Sequence, residues 1–167
     1  MAVLIRAITY ASVFIGLLLV YLPAQLLSDA GVTRPERLGA VQLAGMAMAT
    51  AGAALALWCI LSFALIGKGT PAPFDPPRRL VVRGPYRYVR NPMYLGASLA
   101  LAGAALVYGT GVLWAYAAAF LGVMHLMVVW YEEPTLRRSF GDEYKEYCRR
   151  VRRWLPRPSG GSARAEG

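Results

Sequence analysis

Arg78-Arg-Leu-Val-Val-Arg-Gly-Pro-Tyr-Arg-Tyr-Val-Arg-Asn-Pro-Met-Tyr94 is the stretch on which the rest of the chain turns. It connects two strongly apolar halves and carries five arginines in seventeen residues: Arg78, Arg79, Arg83, Arg87 and Arg90. Gly84-Pro85 is a turn dipeptide, because Pro85 fixes its own φ and drives Gly84 away from helix. Asn91-Pro92 reads as a helix start, with Asn91 as N-cap and Pro92 at the first helical position, where a missing N–H costs nothing. A polar loop held where an apolar helix begins is a place to bind something charged.

Composition sets the class around that loop. The chain has 167 residues, 57% of them hydrophobic and 16% charged, with a mean hydropathy of +0.42. That is too apolar for a soluble domain of this length and indicates a small integral membrane protein. The net charge of +9 is gathered in two segments beside apolar runs. It therefore suits an anionic membrane surface and not nucleic acid. Two cysteines, Cys59 and Cys148, make no disulfide framework, and no metal-ligand spacing is present. Gly-x-Gly-x-x-Gly is missing, and Ser62 stands where a phosphate loop ending at Gly67-Lys68-Gly69-Thr70 would need glycine.

Residues 3 to 27, broken only by Arg6, are long enough to span a bilayer, which takes about 20 residues. The run exceeds a signal-peptide core and no clean small-residue cleavage site follows, so it reads as a span. Residues 38 to 66 form a second span whose Gly45, Ala49, Ala53, Gly52 and Ala56 allow close helix approach inside a bundle. Residues 92 to 108 and 111 to 131 form a hairpin of two more, joined at Tyr108-Gly109-Thr110-Gly111. From residue 132 to 156 the chain turns polar. Leu136, Phe140, Tyr144, Tyr147 and Val151 recur at helical spacing, the pattern of an amphipathic helix on a membrane surface. The final residues, 157 to 167, are rich in Gly, Ser and Pro and read as disordered.

The expected fold is all-α: a polytopic membrane helix bundle of about four transmembrane helices plus a C-terminal amphipathic interfacial helix. An N-terminal hairpin (1–66) precedes a unit holding the connector, second hairpin and amphipathic helix (67–156). Six basic residues in the connector and nine from residue 132 onward place both segments, and both termini, on the cytoplasmic side.

Glu132 and Glu133 lie where the fourth span ends, opposing the helix dipole there. Two readings stay open: pairing with connector arginines, or a site for a cationic group walled by Glu132, Tyr86 and Tyr94, whose rings attract cations. His125, two turns earlier, is more readily an interhelical hydrogen-bonder than a catalyst. A non-catalytic subunit binding anionic lipid or a protein partner is a rival reading. A transporter is disfavoured, because mid-span polar residues are few.

Gly84-Pro85-Tyr86, Arg90-Asn91-Pro92-Met93-Tyr94-Leu95-Gly96, Glu132-Glu133 with Leu136, Phe140-Gly141 and Tyr144-x-x-Tyr147 together resemble the integral-membrane methyltransferases. That group contains the isoprenylcysteine carboxyl methyltransferases and the phospholipid N-methyltransferases. The resemblance covers residues 68 to 156 and implies S-adenosylmethionine bound without a Rossmann domain. It would set the cofactor against Arg78, Arg79, Leu80 and Val81, with Tyr86, Asn91, Pro92, Met93 and Tyr94 around it and Glu132 at a polar end. Tyr94, Glu132 and Glu133 would carry the chemistry, and His125 and Val128 would lie on the substrate side. The substrate would be a membrane-embedded lipid or a prenylated molecule. Isoprenylcysteine enzymes usually have histidine where Asn91 stands and arginine where Val128 stands. Both departures bear on a prenylcysteine carboxylate substrate more than on the cofactor.

Overall fold

A computed structural model of the chain describes Thr9, residues 12–67 and residues 79–157. Arg78 and the tail beyond residue 157 fall outside the described residues. The described part is helical. α1 runs Ser12–Asp29, α2 Ala40–Ser62, α3 Pro92–Tyr108, α4 Gly111–Met127 and α5 Glu133–Arg150. Three helical stretches are long and apolar enough to cross a membrane: α1, α2 and the continuous Gly111–Arg150 helix that contains α4. α3 is equally apolar but has 17 residues, the short end of what spans.

Two prolines shape the long helices. Ile15–Tyr21 is a π-helical turn in α1, in which Leu22 N–H bonds to Leu17 O. In that register Leu18 O would need a donor from Pro23, which has none. The Tyr116 hydroxyl of α4 supplies it at 2.7 Å. An otherwise orphaned carbonyl thus fastens α1 to α4, as apolar surroundings require. A turn of the same register precedes Pro134. Val128–Glu132 is a π-helical turn, with Glu133 N–H bonded to Val128 O. The helix that forms the fourth span therefore does not stop where its apolar run ends at residue 131. It continues through this turn into α5, and the helix bends only at Gly141 (φ 51°, ψ −121°).

α2 and α3 pack antiparallel through glycine. A Cβ on Gly52 would lie 2.5 Å from both Ala100 N and Gly96 O, and one on Gly103 would lie 2.5 Å from Ala49 N. Backbone meets backbone, so neither contact can relax by side-chain movement. The small-residue pattern marks one face of α2 only. Leu43, Leu57 and Trp58 on other sides are exposed, where a bilayer would cover them. Gly52→Leu is expected to destabilise the protein by about 3 kcal/mol, the upper part of the overpacking range. An unchanged melting temperature in detergent would contradict that packing.

α3 and α4 join as the sequence suggests. Gly109 takes a left-handed conformation (φ 60°), and the Thr110 hydroxyl accepts Val112 N–H to cap α4. Asn91 departs from expectation. It precedes Pro92 as the N-cap residue, but its side chain makes no capping bond. Its Nδ2 donates instead to Arg153 O at 3.3 Å.

Candidate active site

The connector is apolar beneath and basic above. Val81, Tyr86 and Val89 are buried, whereas Arg79, Arg83 and Arg87 are exposed. Gly84, at φ 60°, makes the turn that sends Tyr86 inward. The Tyr86 ring meets Phe63 edge-on, with centroids 5.3 Å apart, and shares a cluster with Cys59 and Val81. Here the end of α2 supports the connector from below.

From above it is held by α5 and the residues after it. Tyr147 O–H donates to Tyr86 O at 2.6 Å, and burial raises the Tyr147 phenol's pKa, so it stays protonated. Arg90 N–H donates to Arg152 O at 2.9 Å, beside an isolated parallel bridge between Val89 and Arg152. Tyr144, Tyr147 and Val151 are buried, with Leu80, Leu136 and Phe140 packed against them. The α5 sequence is amphipathic as expected, and Leu80 of the connector packs against its apolar face.

Glu133 is the centre of this clamp. It is 4% exposed. Arg153 grips it with Nε to Oε1 at 2.7 Å and Nη2 to Oε2 at 2.9 Å. Arg90 Nη1 lies 3.1 Å from Oε1, and Arg137 Nη2 lies 3.5 Å from Oε2. Burial pushes the Glu133 carboxyl up, but the Arg153 hydrogen bond and the charges of Arg90, Arg153 and Arg137 outweigh it and hold it below its usual value. A depressed acid stabilises the fold above its unfolded pKa, near 4.3 for glutamate. That contribution disappears as pH falls through the lower folded value. Acidification from neutral pH to well below the ordinary glutamate value, about 4.3, should therefore loosen the connector before the spans. Proteolysis within residues 79–91 measures this, and equal protection at both pH values would contradict it.

The neighbouring Glu132 is placed differently. Tyr94, 5% exposed in the first turn of α3, donates its hydroxyl to Glu132 Oε1. Glu132 closes the π-helical turn, which sets its direction apart from that of Glu133. Among the described residues, no arginine or lysine ion-pairs with Glu132. One carboxylate is thus held by three guanidiniums and the other by a phenol.

Tyr94 and Val128 belong to one buried cluster with Ala97, Leu101, Ala117, Phe120 and Met124. Met93 packs against both this cluster and that of Tyr86. Pro92 is fully buried, Leu80 half-buried, and Asn91 is engaged by Arg153. His125 Nδ1 accepts from Trp154 Nε1 at 3.0 Å.

A family model described as "Phospholipid methyltransferase" matches residues 40–143, well over half of the chain. The chain belongs to the phospholipid methyltransferase family. It is accordingly a membrane methyltransferase, from a family that acts on lipid. An uncharacterised protein of Haemophilus influenzae is 38% identical over 63 residues, which are 38% of this chain and all of that protein. No solved structure gives a significant match.

The phospholipid methyltransferase match takes in α2, the connector, α3, α4 and the first half of α5. It stops before Tyr144, Tyr147, Arg153 and Trp154, the residues that clamp the connector. In the sequence, Arg153 and Trp154 carry no signal beyond falling in the polar stretch 132 to 156. Tyr147 had a signal in its three-residue spacing from Tyr144, and Arg90 in its place within the connector motif.

Proposed function

We propose that this protein uses S-adenosylmethionine to methylate an amine on a membrane-embedded lipid, at a site built on Tyr94 and Glu132. The observation that carries the reading is the Tyr94–Glu132 contact, beside a connector clamped in place. The residues present suit the cofactor's groups. Glu132 and the Tyr94 ring suit its cations. Arg90 Nε, a buried donor without a partner, suits its carboxylate. Leu80, Val81 and Met93 offer apolar contact to the remainder.

S-adenosylmethionine supplies a methyl group already activated on a sulfonium, so the protein's task is alignment and proton handling. Alignment alone can lower a barrier by about 7–11 kcal/mol in the best intramolecular models. An amine reaches the site as an ammonium and must lose a proton before it is nucleophilic. Glu132 can take that proton, whereas Glu133 is occupied by three arginines. A carboxylate substrate would meet Glu132 as a like charge. Arg137 and Arg153 are engaged by Glu133, the free Arg90 Nε is taken by the cofactor's carboxylate in this reading, and Val128 offers no charge. The same balance weighs against a prenylcysteine carboxylate.

Equilibrium binding of S-adenosylmethionine to the detergent-solubilised protein tests the reading. One saturable site is expected, weakened about tenfold in Tyr94→Phe, the loss of one hydrogen bond to a charged group. Absence of saturable binding would overturn it.

A further inference from the structure

The segment after α5 does not run off into water. Val151 is buried, Arg152 pairs with the connector and Arg153 grips Glu133. Trp154 then reaches His125, its indole Nε1 donating to Nδ1 with ring centroids 5.9 Å apart. His125 lies seven residues before Glu132, about two turns and roughly 10 Å further along the helix. Trp154 therefore sits at the depth of the apolar spans and not at their polar end. There it packs, half-buried, against the cluster that contains Tyr94, Phe120, Met124 and Val128.

An indole whose N–H is bonded is fixed in orientation and presents its remaining surface as an apolar wall. We propose that Trp154, oriented by His125, is the bilayer-side wall of the acceptor site and contacts the hydrocarbon chain of the lipid acceptor. This inference rests on the methyl-transfer reading above. His125 is then a positioning residue. Its Nδ1 is the acceptor, so the neutral ring carries its proton on Nε2. The occupant is a hydrocarbon chain because the wall is apolar, lies at span depth and continues into the cluster holding Tyr94. A water-soluble amine would gain nothing from Trp154.

Fluorescence quenching tests the contact separately from turnover. Trp58, Trp114 and Trp130 are exposed, so a variant with phenylalanine at all three leaves Trp154 as the reporter. It would be reconstituted in phosphatidylethanolamine and phosphatidylglycerol vesicles with brominated chains. Bromolipid is expected to quench Trp154 strongly and aqueous acrylamide weakly, with the preference reduced by His125→Ala. Should the triple variant fold poorly, the difference between wild type and Trp154→Phe gives the same readout. In an assay of labelled methyl transfer from S-adenosylmethionine to lipid, Trp154→Ala should raise the KM for lipid about tenfold while cofactor affinity changes less than twofold, with Trp154→Phe restoring most of the difference. Quenching by acrylamide alone, or equal loss of cofactor and lipid affinity, would overturn the proposal. Bromolipid quenching with no methyl transfer to any lipid would overturn the methyl-transfer reading and leave the chain contact standing.

Discussion

Glu132→Gln is expected to lower methyl transfer by about two orders of magnitude and weaken S-adenosylmethionine at least tenfold, with the protein still inserted and folded. Glutamine keeps the shape and can still accept from the Tyr94 hydroxyl. It cannot neutralise a cation or take a proton. Charge-assisted hydrogen bonds contribute about 1.5–3 kcal/mol, equivalent to roughly ten- to 150-fold. No arginine or lysine among the described residues ion-pairs with Glu132, so removing its charge leaves none of their guanidiniums or ammoniums unpaired. Wild-type binding and turnover in this variant would remove Glu132 from the site.

The adjacent Glu133→Gln should fail in the opposite manner, by loss of structure. Arg90 has a side chain only 12% exposed and loses its counter-charge, as does Arg153. Breaking a buried pair by removing one partner costs about 3–5 kcal/mol. Arg137, whose side chain is 58% exposed, adds little because solvent screens it. A lowered melting temperature and rapid proteolysis of the connector are the expected readouts. Two neighbouring glutamates would thus separate a binding defect from a folding defect. A stable Glu133→Gln protein with an intact connector would show that the clamp does not depend on this charge.

Local chemistry made much of the architecture legible. Pro92 starts α3, Gly109 turns the hairpin, and Gly45 and Gly52 mark where α3 approaches α2. Each of these is a constraint on the backbone within a few residues. The π-helical turns before Pro23 and Pro134 were not legible, because a proline shows which donor is missing but not which register the helix adopts around the gap. The apolar stripe of α5 was visible in its periodicity. What covers it was not, since connector and bilayer are equally apolar partners. Tyr94 and Glu132 lie 38 residues apart, and only an ordered motif could suggest that they meet. Glu133 looked equivalent to Glu132, because nothing in the sequence joins it to Arg90 and Arg153 at once.

Methyl transfer to a lipid amine is open to test by label transfer. Membranes holding the protein would be incubated with methyl-labelled S-adenosylmethionine and a total lipid extract, then treated with mild base. Label is expected to stay in a lipid product through the base treatment and to fall to background in Glu132→Gln. Label released as methanol would reveal a methyl ester and contradict the amine assignment. No transfer above empty membranes, with no cofactor binding, would contradict the catalytic reading altogether.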